Sequence, residues 1–89
     1  MGPVATEIHQ LLTAALAPER LEVIDDSESH RGHAGHDARG ESHFTVRIVS
    51  ARFIGQSRID RQRAVNAALA ELLAGRVHAL SIVARAPDE

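Results

Sequence analysis

The chain has 89 residues, 44% of them hydrophobic, no cysteine, and 12 carboxylates against 10 cationic side chains, for a formal net charge of −2. That size makes one modest domain, which buries only about 60% of the surface its unfolded form exposes; a single domain over 1–89 is expected, with a core spanning roughly residues 4–86. The charge argues against a nucleic-acid binder driven by electrostatics, since such domains carry a basic excess, and the lack of cysteine excludes disulfide staples and thiol chemistry from this chain's own side chains. Phe44 and Phe53 are the only aromatic residues, so the core must be built from Ala, Val, Ile and Leu. The longest apolar stretches fall far short of a membrane span. The N-terminus has no basic segment leading into an apolar run. A cytoplasmic protein without a membrane partner is expected.

Val4, Ile8, Leu11, Leu12 and Leu16 recur at three- and four-residue spacing, the mark of one helix face. Pro3 stands where proline is tolerated and Pro18 where the helix cannot continue. Arg20–Asp25 is short and β-branched, a strand. Between about residues 26 and 41 the composition changes: Gly32, Gly35 and Gly40 mix with Ser, Asp, Arg and His. A connection of that length inside a small domain is usually functional or disordered. Ser42–Ser50 alternates, with Phe44, Val46 and Ile48 on one face and Thr45 and Arg47 on the other, a half-buried strand. Gly55 marks a turn. Ser57 and Asp60 resemble a capping box, with Asp in place of the usual Glu or Gln. A helix to about Leu73 follows, with Ile59, Val65, Ala68, Leu69, Leu72 and Leu73 as its apolar stripe, ended by Gly75. Val77–Ala84 is the last strand, and Pro87–Glu89 is expected to fray. The order is α-β-β-α-β. The first two strands can pair as a long-looped hairpin. The helix before the third is long enough for a crossover, which makes strands two and three parallel. Both helices then cover one face of a three-stranded mixed sheet, an α+β sandwich.

Histidine is the chemically suggestive residue. His30, His33 and His36 lie in the glycine-rich segment, His43 follows it, and His78 stands in Val77-His-Ala-Leu80. Imidazole is the commonest protein metal ligand. A loop histidine and a strand-borne histidine could share a metal if the fold brings them together, and any thiolate would then come from another molecule. Read alone, His78 is better explained as a hydrogen-bonded core histidine, since most single histidines are not ligands, and the loop histidines could be solvated. A dedicated mononuclear zinc site is the weaker reading, because structural zinc sites need four protein ligands in closed geometry and His43 begins a strand that need not point the same way.

The sequence is identified as a member of the BolA family by its ordered motifs. These are Leu21-Glu-Val-Ile-Asp-Asp-Ser27, His33-Ala-Gly-His36, Gly40-Glu-Ser-His-Phe-Thr-Val-Arg-Ile-Val-Ser50, Phe53-x-Gly55, Arg61-Gln-Arg-x-Val65 and Val77-His-Ala-Leu80. Singly these are weak; in this order and spacing they are specific, and they cover nearly the whole chain. The resemblance implies a class II KH-like fold. It also implies a monothiol glutaredoxin of the CGFS type as partner, with a [2Fe–2S] cluster bridging the two proteins. The glutaredoxin and glutathione supply thiolates. The BolA-like chain supplies a histidine near the start of the last strand, here His78, and a loop ligand, here a histidine because cysteine is absent. Counting from Asp25-Asp-Ser27 selects His30; counting from His-Ala-Gly-His selects His33, the more distinctive anchor. Gln62 departs from the His that many members carry there, away from these ligands. Two imidazoles on one iron raise its reduction potential, as in Rieske centres, and their protonation competes with the metal, so an acid-labile cluster suited to transfer or sensing is expected. The isolated apo protein is expected to hold none.

A second reading is a DNA-binding transcriptional regulator. Arg52, Arg58, Arg61 and Arg63 surround the start of the second helix, where phosphate is favoured, though a solvated face with local ion pairs is the favoured reading of them. The Gly-x-x-Gly clamp of KH modules is incomplete, because the turn reads Gly55-Gln-Ser-Arg58. An enzyme is the least supported class: there is no cysteine nucleophile, no Gly-x-Ser-x-Gly elbow and no phosphate-binding glycine loop. Asp25 and Asp26 are ordinary strand-end turn residues.

Overall fold

Pro3 opens the first helix at the position where its missing N–H is no loss. The helix, α1, runs Pro3–Leu16 and buries Val4, Ala5, Ile8, Leu12 and Leu16 along one stripe. It stops at Ala17, which adopts the left-handed conformation (φ 44, ψ 55) and returns its N–H to the Thr13 carbonyl. The computed structural model describes residues 2–26 and 42–89. His30, His33 and His36 lie outside the described residues, as does most of the glycine-rich segment.

Three strands form one sheet in the order β1-β2-β3: β1 is Arg20–Asp25, β2 His43–Val49 and β3 Ala79–Arg85. β1 pairs antiparallel with β2, and β2 parallel with β3. The register places Leu21 opposite Ile48 and Val23 opposite Val46. It also places Phe44 opposite Leu80, Val46 opposite Ile82, and Ile48 opposite Ala84. Because strand side chains alternate between faces, these rows form a single apolar face. Phe44, Val46 and Ile48 are buried in its centre, with Leu21, Val23, Leu80, Ile82 and Ala84 half-buried around them. The helices lie on this face: α1 touches β1, the next helix touches β3, and the two touch each other. This is the α-β-β-α-β order and mixed sheet expected from the sequence.

Ser50, fully buried, ties β2 to α1: its Oγ donates to the Leu16 carbonyl at 2.6 Å and accepts from Arg52 N–H. A single 3-10 turn over Ala51–Phe53 buries Phe53, and Gly55 takes φ +80 in the turn that follows. Ser57 caps α2 (Arg58–Ala68), its Oγ accepting from Asp60 N–H. The structure departs from the single long helix expected here. The chain leaves helical geometry at Leu69 (φ −107, ψ 16) and resumes in a short α3, Ala70–Ala74, before Gly75 ends it. No proline or glycine marks the break. The residue that bends is itself a buried core leucine, so tertiary packing decides it. Ile59, expected on the apolar stripe, is 61% exposed. It precedes Val65 by six residues, which at 3.6 per turn puts it about 120° away from the buried face.

Val77 is buried but lies before the strand, its N–H bonded to the Leu72 carbonyl; β3 begins two residues later than expected and His78 sits in the connection. The expected frayed tail is instead fixed. The Glu89 carboxylate accepts from both terminal nitrogens of Arg61, at 2.5 and 2.7 Å, and from Ala86 N–H. The planar guanidinium matches a carboxylate in this two-point geometry. Among the described residues no helix is long and apolar enough to cross a membrane.

Candidate metal centre

Parallel pairing puts the N-terminal ends of β2 and β3 side by side, with His43 aligned to Ala79. The residue just before each strand therefore shares one edge of the sheet. On the β3 side that residue is His78, which is exposed. On the β2 side it is Ser42, fully buried. The Ser42 carbonyl accepts the N–H of His78 at 2.7 Å and that of Ala79 at 3.3 Å. Its hydroxyl and His43 Nδ1 share a hydrogen bond at 2.9 Å. One serine thus fixes the backbone under His78 and the ring of His43 together.

The consequence is a pair of neighbouring imidazoles in an edge-to-face arrangement. The His43 and His78 ring centroids are 6.1 Å apart with the planes at 77°. Asp26 borders the same edge. Its N–H donates to the His43 carbonyl at 2.7 Å and its Oδ2 accepts from Thr45 Oγ1. Asp26, His43, Phe44, Ala79, Leu80 and Ser81 line a shallow depression here. The 27–41 segment starts after Asp26 and ends before Ser42, so it leaves and rejoins the fold beside these histidines.

The potential donors at this edge are imidazole nitrogens and the Asp26 carboxylate, with no thiolate in the chain. His78 is a surface group rather than a core histidine. The other two sequence candidates, His33 and His30, lie outside the described residues, and so does His36. Among the described residues, no three His, Cys, Asp or Glu side chains converge as a metal site. His43 is the residue that sequence reasoning passed over. Parallel pairing of strands two and three brings their N-terminal ends to one edge; the register that sets His43 opposite Ala79 is visible only in the structure.

The arginines expected at a nucleic-acid surface are divided by the fold. Arg52 and Arg58 are exposed, and Arg63, also exposed, lies 3.8 Å from Asp60 across one helical turn. Arg61 turns inward, its side chain only 12% exposed. Its guanidinium sits 6.0 Å from the Phe53 ring centroid, and it donates to the Gln56 and Ala84 carbonyls as well as to Glu89. The Arg61 hydrogen bonds hold the Glu89 carboxyl well below its usual range, down to about 2.

Comparison with known proteins places this geometry among relatives. The profile of the family described as BolA-like protein matches residues 12–89. A Sinorhizobium protein encoded in the cobS 5' region is 49% identical over 83 residues, covering 92% of this chain and 89% of the relative. BolA-like protein 1 of Homo sapiens is 48% identical across all of this chain, which spans 62% of that relative's length. Among solved structures, the BolA domain of SufE1 from Arabidopsis thaliana superposes with a TM-score of 0.88 at 43% identity, covering 99% of this chain and 96% of that one. BolA1 from Mus musculus superposes with a TM-score of 0.81 at 44% identity, covering 99% and 68%.

Proposed function

This chain belongs to the BolA-like family, and from that premise we propose that it is a non-catalytic adaptor, joined to a monothiol glutaredoxin through a shared [2Fe–2S] cluster. The observation that carries this reading is the exposed His78 at the sheet edge where the histidine-bearing segment leaves and rejoins the fold. Ser42 holds the His78 backbone in place, so the imidazole is offered to a partner without rearrangement of the sheet. Asp26 and Ser42, the described residues that flank the segment containing His30 and His33, border the same edge. His33 is the preferred second ligand and His30 the alternative. The bound cluster supplies one-electron chemistry and transferable iron and sulfide. The chain itself supplies neutral nitrogen donors, a docking edge and no thiolate, which leaves the thiolates to glutaredoxin and glutathione.

Mixing with a cluster-loaded monothiol glutaredoxin, read by visible absorption and circular dichroism, tests this. The wild type converts the spectrum to a mixed-ligand form and His78→Ala does not; His30→Ala against His33→Ala then assigns the loop ligand. An unchanged spectrum with wild type, and no heterodimer, removes the adaptor reading. The alternative of a DNA-binding regulator is supported less well, because Arg61 is engaged by Glu89 and the exposed set narrows to Arg52, Arg58 and Arg63. Binding to duplex DNA that weakens steeply with salt and is lost in Arg52→Ala and Arg58→Ala would favour it.

A further inference from the structure

We infer that the face of the sheet turned away from the helices is a docking surface for an acidic polypeptide segment, one that carries two carboxylates on either side of a small apolar side chain. The surface is the row of Arg20, Val49 and Arg85, with Arg47 beside it. It lies at the opposite end of the strands from His78 and takes no part in the adaptor reading.

Strand register builds this surface. Arg20 is aligned with Val49, and Val49 with Arg85, so the three form one row across all three strands. Neighbouring strands run about 4.8 Å apart, which sets the Arg20 and Arg85 backbones about 9.6 Å apart with Val49 between them. Alternate residues share a face, so the next row on the same side is Glu22, Arg47 and Val83. Arg20, Arg47 and Arg85 are exposed, and with Glu22, Val49 and Val83 they line one open depression. Arg20 and Asp25 are the two ends of β1, which puts the arginine row about 17 Å along the strands from the histidine edge.

The charge here runs against that of the chain. Three guanidiniums meet one carboxylate on this face, in a chain of net charge −2. That carboxylate, Glu22, lies 3.5 Å from Arg47 with both side chains more than half exposed, a contact of little energetic weight. Among the described residues, neither Arg20 nor Arg85 has a carboxylate within ion-pair distance. Glu89 acts on Arg85 at longer range and is itself held by Arg61.

The occupant follows from this chemistry. A guanidinium pairs with a carboxylate in planar two-point geometry and is weakly hydrated, so it suits an interface. Val49 and the 39% exposed Val83 offer contact to an apolar side chain, and parallel strands such as β2 and β3 are ordinarily covered on both faces. A second copy set face to face would oppose like charges. Single-stranded nucleic acid would find no ring to stack on, since Phe44 and Phe53 are both buried in the core.

The test uses the full chain, ¹⁵N-labelled, and the synthetic peptide Ser-Glu-Ser-Val-Ser-Glu-Ser, whose extended form sets both glutamates and the valine on one side. Backbone ¹H–¹⁵N spectra are recorded during titration at about 0.15 M ionic strength, where long-range attraction is screened. Binding saturates at one site and shifts the amides of Arg20, Arg47, Val49, Val83 and Arg85 together, and the peptide with Gln for both Glu does not bind. Arg20→Gln and Arg85→Gln each weaken binding about fivefold, as for loss of one exposed ion pair, and the double variant weakens it at least tenfold. Glu22→Gln strengthens it about twofold by releasing Arg47. All three side chains are exposed, and far-ultraviolet circular dichroism checks that the variants fold. Absence of a saturable shift, shifts confined to Arg52 and Arg58, or binding unaltered in the double variant overturns the inference. Tighter binding of a single-stranded oligonucleotide or an anionic phospholipid vesicle at the same arginines, titrated in parallel, also overturns it. His78→Ala leaves peptide binding unchanged and no glutaredoxin is present, so failure here leaves the adaptor reading standing, and failure of cluster conversion leaves this one standing.

Discussion

At the C-terminal end of β3, Arg61 and Glu89 close on each other over the buried ring of Phe53, and each of those charged groups is matched within the chain. At the N-terminal end of the same strand, His78 stands exposed beside His43, its backbone anchored by Ser42 and its ring turned to the surface. One end uses its polar groups to hold the fold; the other uses its fold to hold a polar group. The difference separates structural from functional candidates among residues that look alike in sequence. Arginines near a helix start and histidines near a strand start are both plausible ligand-binding groups. At the first place the Arg61 side chain itself holds the fold; at the second the backbone does the fixing while the His78 side chain remains available to solvent.

That contrast can be broken by substitution. The largest effect belongs to the closed end. Phe53→Ala removes a fully buried ring, and chemical denaturation should show a loss of about 3–5 kcal/mol. At the open end, Ser42→Ala should cost about 1 kcal/mol, the ordinary net worth of a hydrogen bond, while disordering the His43 ring in its imidazole spectrum. Acid titration separates the ends next. The folded Glu89 pKa of about 2 lies below its ordinary 4.5. Its contribution to stability is therefore complete above pH 4.5 and is lost as pH falls toward 2. The urea midpoint of Glu89→Gln should lie below that of the wild type at pH 6, with the gap closing by pH 2. Smallest is His78→Ala, which should move stability by no more than about 0.5 kcal/mol, the usual range for an exposed site, yet abolish cluster conversion. A large destabilisation by His78→Ala would make the histidine a structural residue after all and erase the comparison.

Regular alternation and helical spacing made the core legible in advance. Phe44, Val46 and Ile48 announced the buried face of β2, and Val4, Ile8, Leu12 and Leu16 that of α1, because the solvent boundary imposes those periods directly. What stayed hidden depends on contacts between distant residues. The Arg61–Glu89 pair joins a helix to the tail, and nothing local to Pro87-Asp-Glu89 signals it. The bend at Leu69 has no glycine or proline to mark it. Ile59 is apolar but out of phase with the buried stripe, so its exposure follows from helical spacing. The candidate site was half legible: His78 stood out by motif, whereas His43 acquires its neighbour only through parallel pairing of β2 with β3.

The hydrogen bonds from the His78 and Ala79 N–H groups to the Ser42 carbonyl join parts of the chain that are far apart in sequence, across the entire α2–α3 crossover. Contacts of such long range form only once the intervening chain has closed. The paired imidazoles are thus a late product of folding, absent from any partly folded or nascent species. This edge is therefore a marker of chain integrity: the pair exists only where the fold is complete.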